Sequence, residues 1–474
     1  MTTHIDRRWL ALIILCLGDL MIVLDTTIVN VALPSIKVDL AFSETALVWV
    51  VNAYMLTYGG FLLLGGRLGD FYGNRRMFLL GIVLFTLSSL GCGLAQSQGV
   101  LIAARAIQGL GGAVVSAVAL SLIMNLFTEP AERAKAMGIF GFVMAGGGSV
   151  GVLLGGVLTD AFNWHWVFLV NLPVGAVVYA LCIMLLPNDR GQAQGRLDVA
   201  GALTVTTSLM LAVYAVVNGN EVGWNSVQTV ALLGIAALLL ALFLGIEAKV
   251  ASPLMPLGLF RLRNIAVSNI IGVLWAAAMF AWFFISALYM QQVLGYSPLQ
   301  VGLSFLPSNL IMAAFSLGLS ARMVMRFGIR GPLAAGLLLA ALGLALFAFS
   351  PVDGDFLLHV LPGMLLLGLG AGMALNPVLL AAMSDVGPSE SGLASGVVNT
   401  AFMMGGALGL AVLASLAGAQ TAELLAVDVT LPVALNSGYQ LAFMIGAVFA
   451  GIAALLSAAL RPGAASADQA AHHP

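Results

Sequence analysis

Two carboxylates interrupt the first apolar run of the chain: Asp19 and Asp25, in GDLMIVLDTTIVNVALP from Gly18 to Pro34. A further charge, Arg105, stands within an apolar segment in LIAARAIQGLGGA, Leu101 to Ala113. An Asp, Lys or Arg at the centre of a membrane helix costs roughly 2.5–3.5 kcal/mol on insertion scales, so each needs a partner charge, a cavity or a proton. For Arg105 a buried partner is favoured over snorkelling, because its span begins at a face where cationic anchors are otherwise absent. Asp19 and Asp25 are about 9 Å apart along an ideal helix and about 120° apart around it, so they face different neighbours. Asp25 lies near the middle of its span, where its cost is greatest. Asp19 lies nearer the start, and reads as a second relay site, a partner for a basic residue or a carboxylate facing water.

The elements that position these charges are membrane helices. Of 474 residues, 61% are hydrophobic and only 8% charged, against roughly a quarter charged in soluble proteins. Apolar runs of bilayer length follow one another near 9–33, 46–66, 77–96, 100–126, 134–158, 165–187, 198–218, 227–247, 265–291, 299–321, 332–350, 356–383, 392–417 and 439–460, which predicts about fourteen spans. Arg7-Arg8 before the first run resembles a signal peptide start, but the run is long, holds carboxylates and lacks a small-x-small cleavage site, so a retained helix is expected. Cys16, Cys92 and Cys182 all fall in spans, which predicts buried thiols rather than a disulfide framework.

The cations fix an expected orientation. Arg7, Arg8, Arg67, Arg75, Arg76, Arg133, Lys135, Arg190, Arg196, Lys249, Arg261, Arg263, Arg322, Arg326, Arg330 and Arg461 all fall on one side, and only Lys37 on the other. Such asymmetry predicts cytoplasmic termini. The longest polar connectors, NDRGQAQGR and the stretch from Glu247 to Asn264, bracket two spans. The chain therefore divides into a six-helix bundle (1–190), two additional helices with their connectors (191–262), a second six-helix bundle (263–461) and a cytoplasmic tail (462–474). An internal echo supports this division: GGRLGDFYGNRRMF after the second span returns as SARMVMRFGIRGPL after the tenth, with Gly73 matching Gly328 and Arg75 matching Arg330. Two duplicated six-helix halves are a known transporter plan.

Within that frame several motifs invite chemistry. The first loop copy carries Gly66, Asp70, Gly73, Arg75 and Arg76, and its acid is replaced by Met325 in the echo. Two readings stand side by side: a charge lock between helices, or a basic loop that only fixes topology. Gln108, Gly109 and Gly112 follow Arg105, the glycines permitting close approach of a helix or ligand. Gly147, Gly151 and Gly155 line one face of the fifth span and predict tight packing, with an interface between the two halves as the expected partner. Gly147, Ser149 and Gly151 also spell G-x-S-x-G, a false match outside a strand-turn-helix setting. No phosphate-binding G-x-x-x-x-G-K-[ST] occurs, the histidines are scattered, and neither an enzyme nor a metal or other cofactor is expected. His165, between two tryptophans, reads as an interfacial anchor. Trp275, Met279, Phe280, Trp282, Phe283 and Phe284 form an aromatic and Met cluster for which lipid-facing packing is the main expectation. If part of it lines a cavity, it suits flat apolar or cationic molecules. Asn52, Gln108, Trp275, Trp282 and Asn309 are the candidate substrate contacts.

The chain resembles the fourteen-spanner drug:proton antiporters of the major facilitator superfamily. LDTTIVNVALP (Leu24 to Pro34), GGRLGDFYGNRR (Gly65 to Arg76), LIAARAIQGLGGA and NWHWVFLVNLPVG (Asn163 to Gly175) carry the resemblance, in order, with matching span number. It implies the major facilitator fold, proton-driven export by alternating access, and a cell-membrane location. By the same token Asp25 would be the protonatable acid, Arg105 the charge coupled to it, and Asp70 the loop acid that stabilises one conformation. Two departures stand out: Gly151-Val152 where the antiporter motif usually has Gly-Pro, and His165 where Arg is common. The implied partners are protons, an amphipathic small molecule and lipid, without nucleic acid. A dedicated transporter of one metabolite, lipid or siderophore is the alternative, and a non-transporting receptor or scaffold a more distant one.

Overall fold

The computed structural model describes residues 7–186, 197–386 and 391–461. The connector carrying Arg190 and Arg196, the expected boundary at 190/191 and the 462–474 tail lie outside them. Among the described residues every regular element is helical. Each segment expected to span corresponds to a helix: α1 Arg7–Asp39, α2 Val48–Tyr72, α3 Asn74–Gly93, α4 Gln98–Leu126, α5 Pro130–Ala161, α6 Asn171–Leu185, α7 Val199–Val222, α8 Val227–Glu247, α9 Arg263–Leu288, α10 Pro298–Ala314, α11 Arg330–Ala348, α12 Leu361–Met383, α13 Ser391–Leu425 and α14 Leu431–Ser457. Twelve membrane-crossing helices are identified by length and apolarity over the described residues; α5 and α10 are apolar helices that do not meet both measures there.

Helix ends depart from the hydropathy boundaries for identifiable reasons. α1 continues to Asp39 through Pro34, where the apolar run was expected to stop, because neighbouring helices can re-satisfy the backbone freed by proline. The sixth span is split into a single turn, Trp166–Leu169, and α6, whose first turn contains Pro173. α10 opens with a capping box in which Ser297 and Gln300 exchange side-chain and backbone hydrogen bonds. It then passes through a π-bulge at Phe315–Leu319 into Ser320–Phe327.

The duplication is visible in the packing. In the first half α4 lies against α2 and α3, α1 against α5, and α3 against α6; in the second, α12 lies against α10 and α11, α9 against α13, and α11 against α14. The second set is the first advanced by eight helices. The echoed loops share their turn as well: Gly73 (φ 95°) and Gly328 (φ 71°) both adopt the left-handed backbone that favours glycine, and each donates its N–H to the carbonyl four residues earlier.

The halves meet along two seams, α2 with α13 and α5 with α10, which exchange under the same repeat. In the second seam a Cβ on Gly156 would lie 2.8 Å from the Pro298 carbonyl oxygen, and one on Gly302 would lie 3.0 Å from that of Val152. The end of the molecule remote from Arg7 is tied across the halves: Gln291 Nε2 donates to the Val31 carbonyl at 2.9 Å, and Lys37 Nζ donates to Gln292 Oε1 at 3.4 Å. Midway, Asn52 Nδ2 donates to the Ala407 carbonyl at 2.8 Å. These are the side-chain hydrogen bonds that cross the halves among the described residues. The hairpin of α7 and α8 leans on α2 and α13. Its hydrogen bonds go to α13: Asn220 Nδ2 donates to the Ser415 carbonyl at 2.6 Å, and Ser415 Oγ donates to that of Val216 at 3.0 Å.

Candidate functional site

The first half encloses its charges at the meeting of α1, α2, α3, α4 and α6. Two glycines of α4 draw α2 in: a Cβ on Gly109 would lie 2.3 Å from the Tyr54 carbonyl oxygen, and one on Gly112 would lie 3.0 Å from the Tyr54 hydroxyl. That proximity lets Arg105 Nε donate to the Val50 carbonyl at 2.9 Å. A guanidinium end nitrogen of Arg105 donates to Asp25 Oδ2, forming an ion pair between side chains 1% and 0% exposed. The same nitrogen reaches Gln108 Oε1 at 2.6 Å. Gln108 Nε2 returns to Asp25 Oδ1 at 2.7 Å and also donates to Ser89 Oγ at 2.7 Å. Asn171 Nδ2, on the first turn of α6, donates to Asp25 Oδ1 at 3.1 Å. The guanidinium carbon lies 4.4 Å from the Tyr54 ring centre and 5.5 Å from that of Phe168, so aromatic faces also contact the cation.

In this closed network a carboxylate is neutralised by one cation and held by two amides. Charge-assisted bonds of this kind are the strong ones. Breaking a buried pair by removing one member leaves an uncompensated charge and typically costs about 3–5 kcal/mol. Groups from five helices therefore converge on this one carboxylate and its cation.

Asp19 stands apart. It is 1% exposed, and Ser116 Oγ on α4 donates to its Oδ1. No cation pairs with it among the described residues and it is shielded from water, so of its three readings neither the partnership with a basic residue nor the water-facing carboxylate is realised in this conformation.

The other sequence candidates are distributed as follows. Gln108 joins the Asp25 network, and Asn52 bridges α2 and α13. Trp275 and Trp282 are 1% and 0% exposed, enclosed by protein rather than facing lipid, and their indole N–H groups have no partner among the described residues. Asn309 Nδ2 is likewise buried without one. Asp70 is exposed on the last turn of α2 with Arg67 near it, and forms no ion pair among the described residues. Arg75 donates to the Ile183 carbonyl at 2.7 Å, fastening the loop to α6, and Gly66 and Arg76 flank the same turn.

The glycine face of α5 packs closely, but against α1 in its own half rather than across the halves as expected. Cβ atoms on Gly147, Gly151 and Gly155 would come within 2.8 Å of Leu20, 2.0 Å of Thr27 and 2.5 Å of the Ile28 carbonyl, all on α1. The contact between halves uses Gly156, one position on. His165 stacks on Trp164 and contacts the Gly93 carbonyl through Nδ1 at 3.0 Å, an anchoring arrangement.

Ser89 and Asn171 escaped the sequence reading. Asn171 offered a signal, an amide within an apolar span; Ser89 sits beside Ser88 in a helix where serine is unremarkable. Among the described residues no three His, Cys, Asp or Glu side chains gather as a metal site.

Residues 15–410 match the Major Facilitator Superfamily. The chain is 40% identical over 457 residues to the puromycin resistance protein pur8 of Streptomyces alboniger, covering 96% of this chain and 90% of the relative. It is 38% identical over 461 residues to the cephamycin export protein CmcT of Amycolatopsis lactamdurans, covering 96% and 92%. The fold resembles that of the POT family transporter PepTSo, with a TM-score of 0.66 at 15% identity over 94% of this chain and 97% of that one.

Proposed function

The chain belongs to the Major Facilitator Superfamily, a family of membrane transporters rather than enzymes, and from that premise we propose that it exports amphipathic drugs or natural products in exchange for protons by alternating access. Relatives named for puromycin resistance and cephamycin export support the cargo class. Proton coupling rests on one observation, the buried Asp25–Arg105 pair. On this reading fourteen helices span the cell membrane with residues 1–190 and 263–461 as the moving bundles, 191–262 as the added hairpin, and the chain ends in the cytoplasm.

On this reading the cross-half bonds of Gln291 and Lys37 close the outer end of the transporter. Cargo enters from the inside. After the switch a proton from outside neutralises Asp25, loosening its hold on Arg105, and the return inward releases that proton to re-form the pair. The gradient replaces any cofactor. A transporter dedicated to one compound is the second reading, favoured by relatives each named for a single antibiotic.

The test is flux in proteoliposomes with an imposed pH gradient, across a chemically diverse panel. Gradient-dependent export of several compounds supports the proposal. Flux indifferent to the gradient overturns the coupling, and movement of a single compound selects the second reading.

A further inference from the structure

Between the added hairpin and the α2–α13 seam lies a cavity of about 510 Å³, inside the range of roughly 300–1,000 Å³ typical of small-molecule sites. Its walls come from α2 (Gly60, Leu63), α7, α8, α9 and α13, with Leu254, Met255 and Phe260 of the α8–α9 connector across one end. Leu240 and Leu244 of α8 line it while being 40% and 43% exposed, so it reaches the surface that faces the bilayer. Among the described residues no Asp, Glu, Lys or Arg lines it.

Two polar side chains back the apolar wall, their oxygens just beneath its surface and within reach of the chamber by a side-chain rotation. Asn269 is 6% exposed and donates through Nδ2 to the Ile265 carbonyl, leaving Oδ1 without a partner among the described residues. Thr400 is 8% exposed, and its Oγ1 has no partner among them either. An unmatched buried acceptor is costly, and in a protein interior it is normally satisfied by something. In an apolar chamber open to lipid, that something must itself dissolve in lipid and bring a hydrogen-bond donor.

We propose that this chamber binds an uncharged, membrane-dissolved amphiphile whose hydroxyl or amide N–H is received by Asn269 and Thr400. The absence of a lining counter-charge excludes cations from it. The hairpin thereby acquires a binding role, as the outer wall of a site the two bundles alone would leave open. A neutral transport compound and a neutral membrane lipid share this chemistry. Binding is independent of the export proposed above; only the assignment to cargo rests on it.

The test uses two photoreactive probes with the same alkyl chain and diazirine, one ending in a hydroxyl and one in a quaternary ammonium, added to the full-length protein in nanodiscs without a gradient. The alcohol is expected to label α7, α8 and α9 around Leu209, Phe243 and Val273, and the ammonium is not. Thr400→Val and Asn269→Leu, near-isosteric and leaving the helices intact, should each lower labelling about fivefold, the equivalent of one neutral hydrogen bond. Leu209→Trp, which fills the space, should abolish it. Labelling elsewhere, equal labelling by both probes, or indifference to all three variants overturns the proposal. Competition by a neutral exported compound identifies cargo and competition by dioleoylglycerol identifies lipid, either supporting the site. Intact labelling with failed transport counts against the export reading alone.

Discussion

Asp25→Asn combined with Arg105→Gln in a double-mutant cycle separates holding the bundle together from sensing a proton. Asp25 receives Arg105 on one oxygen, and Gln108 at 2.7 Å and Asn171 at 3.1 Å on the other. An asparagine there must present its NH₂ either to the guanidinium or to two amide donors, and it carries no charge. Arg105 is then left with the Gln108 oxygen at 2.6 Å and the Val50 carbonyl at 2.9 Å as its acceptors. Each single variant should lose about 3–5 kcal/mol of stability. The double variant, with no orphaned charge, should recover at least ~2 kcal/mol of the summed loss, within the coupling expected of contacting residues. Equilibrium unfolding in mixed micelles measures the cycle, and gradient-driven flux in proteoliposomes measures coupling. Stability should return in the double variant while gradient dependence stays lost. Single costs that add within about 0.5 kcal/mol refute the ion pair as an energetic unit. Gradient-driven export by Asp25→Asn refutes its role as the coupling acid.

Other perturbations follow from the same geometry. Gly151→Leu places a side chain where Thr27 Oγ1 already stands 2.0 Å from the Cβ position, and should abolish monodisperse protein in size-exclusion profiles; Gly148→Ala, with its nearest neighbour at 3.9 Å, should not. Gln291→Ala removes one bond across the outer end, worth about 1 kcal/mol, and should shift the balance about fivefold toward a state open there. Spin-label distances between the ends of α1 and α9 report this, and an unchanged distribution counts against the seal. Gly156→Leu should push the same way, because its side chain would meet the Pro298 backbone. Asp19→Asn keeps an acceptor for Ser116 and should leave unfolding nearly unchanged while shifting the pH profile of export; an unaltered profile assigns Asp19 to packing.

The helical segments were legible because each is an apolar run of bilayer length ended by polar or turn residues, and the repeat was legible because its loop kept Gly73 and Gly328. That Arg105 needs a buried partner followed from the cost of an isolated cation. Which atoms complete the network did not, since Gln108, Ser89 and Asn171 converge from three helices whose rotations no periodicity specifies. Gln108 was accordingly read as a substrate contact. Gly147, Gly151 and Gly155 announced close packing, but a bare face carries no address, and a turn of one position separates the face that meets α1 from Gly156, which meets α10. Trp275 and Trp282 misled for a related reason: in membrane helices apolar residues serve lipid and interior alike, so hydropathy does not distinguish outside from inside.

The attachment of the hairpin divides labour between the two halves. α7 is hydrogen-bonded to α13 through Asn220, Ser415 and Val216, whereas its contact with α2 is packing, as where Thr206 fits against Gly60. Packing can slide at small cost; a bonded pair must break. The hairpin is therefore bonded to the second bundle and only packed against the first, so a rocking of the halves is expected to slip between α7 and α2. Two helices of this kind, bonded to one bundle and leaning on the other, extend the joint between the halves by one further face.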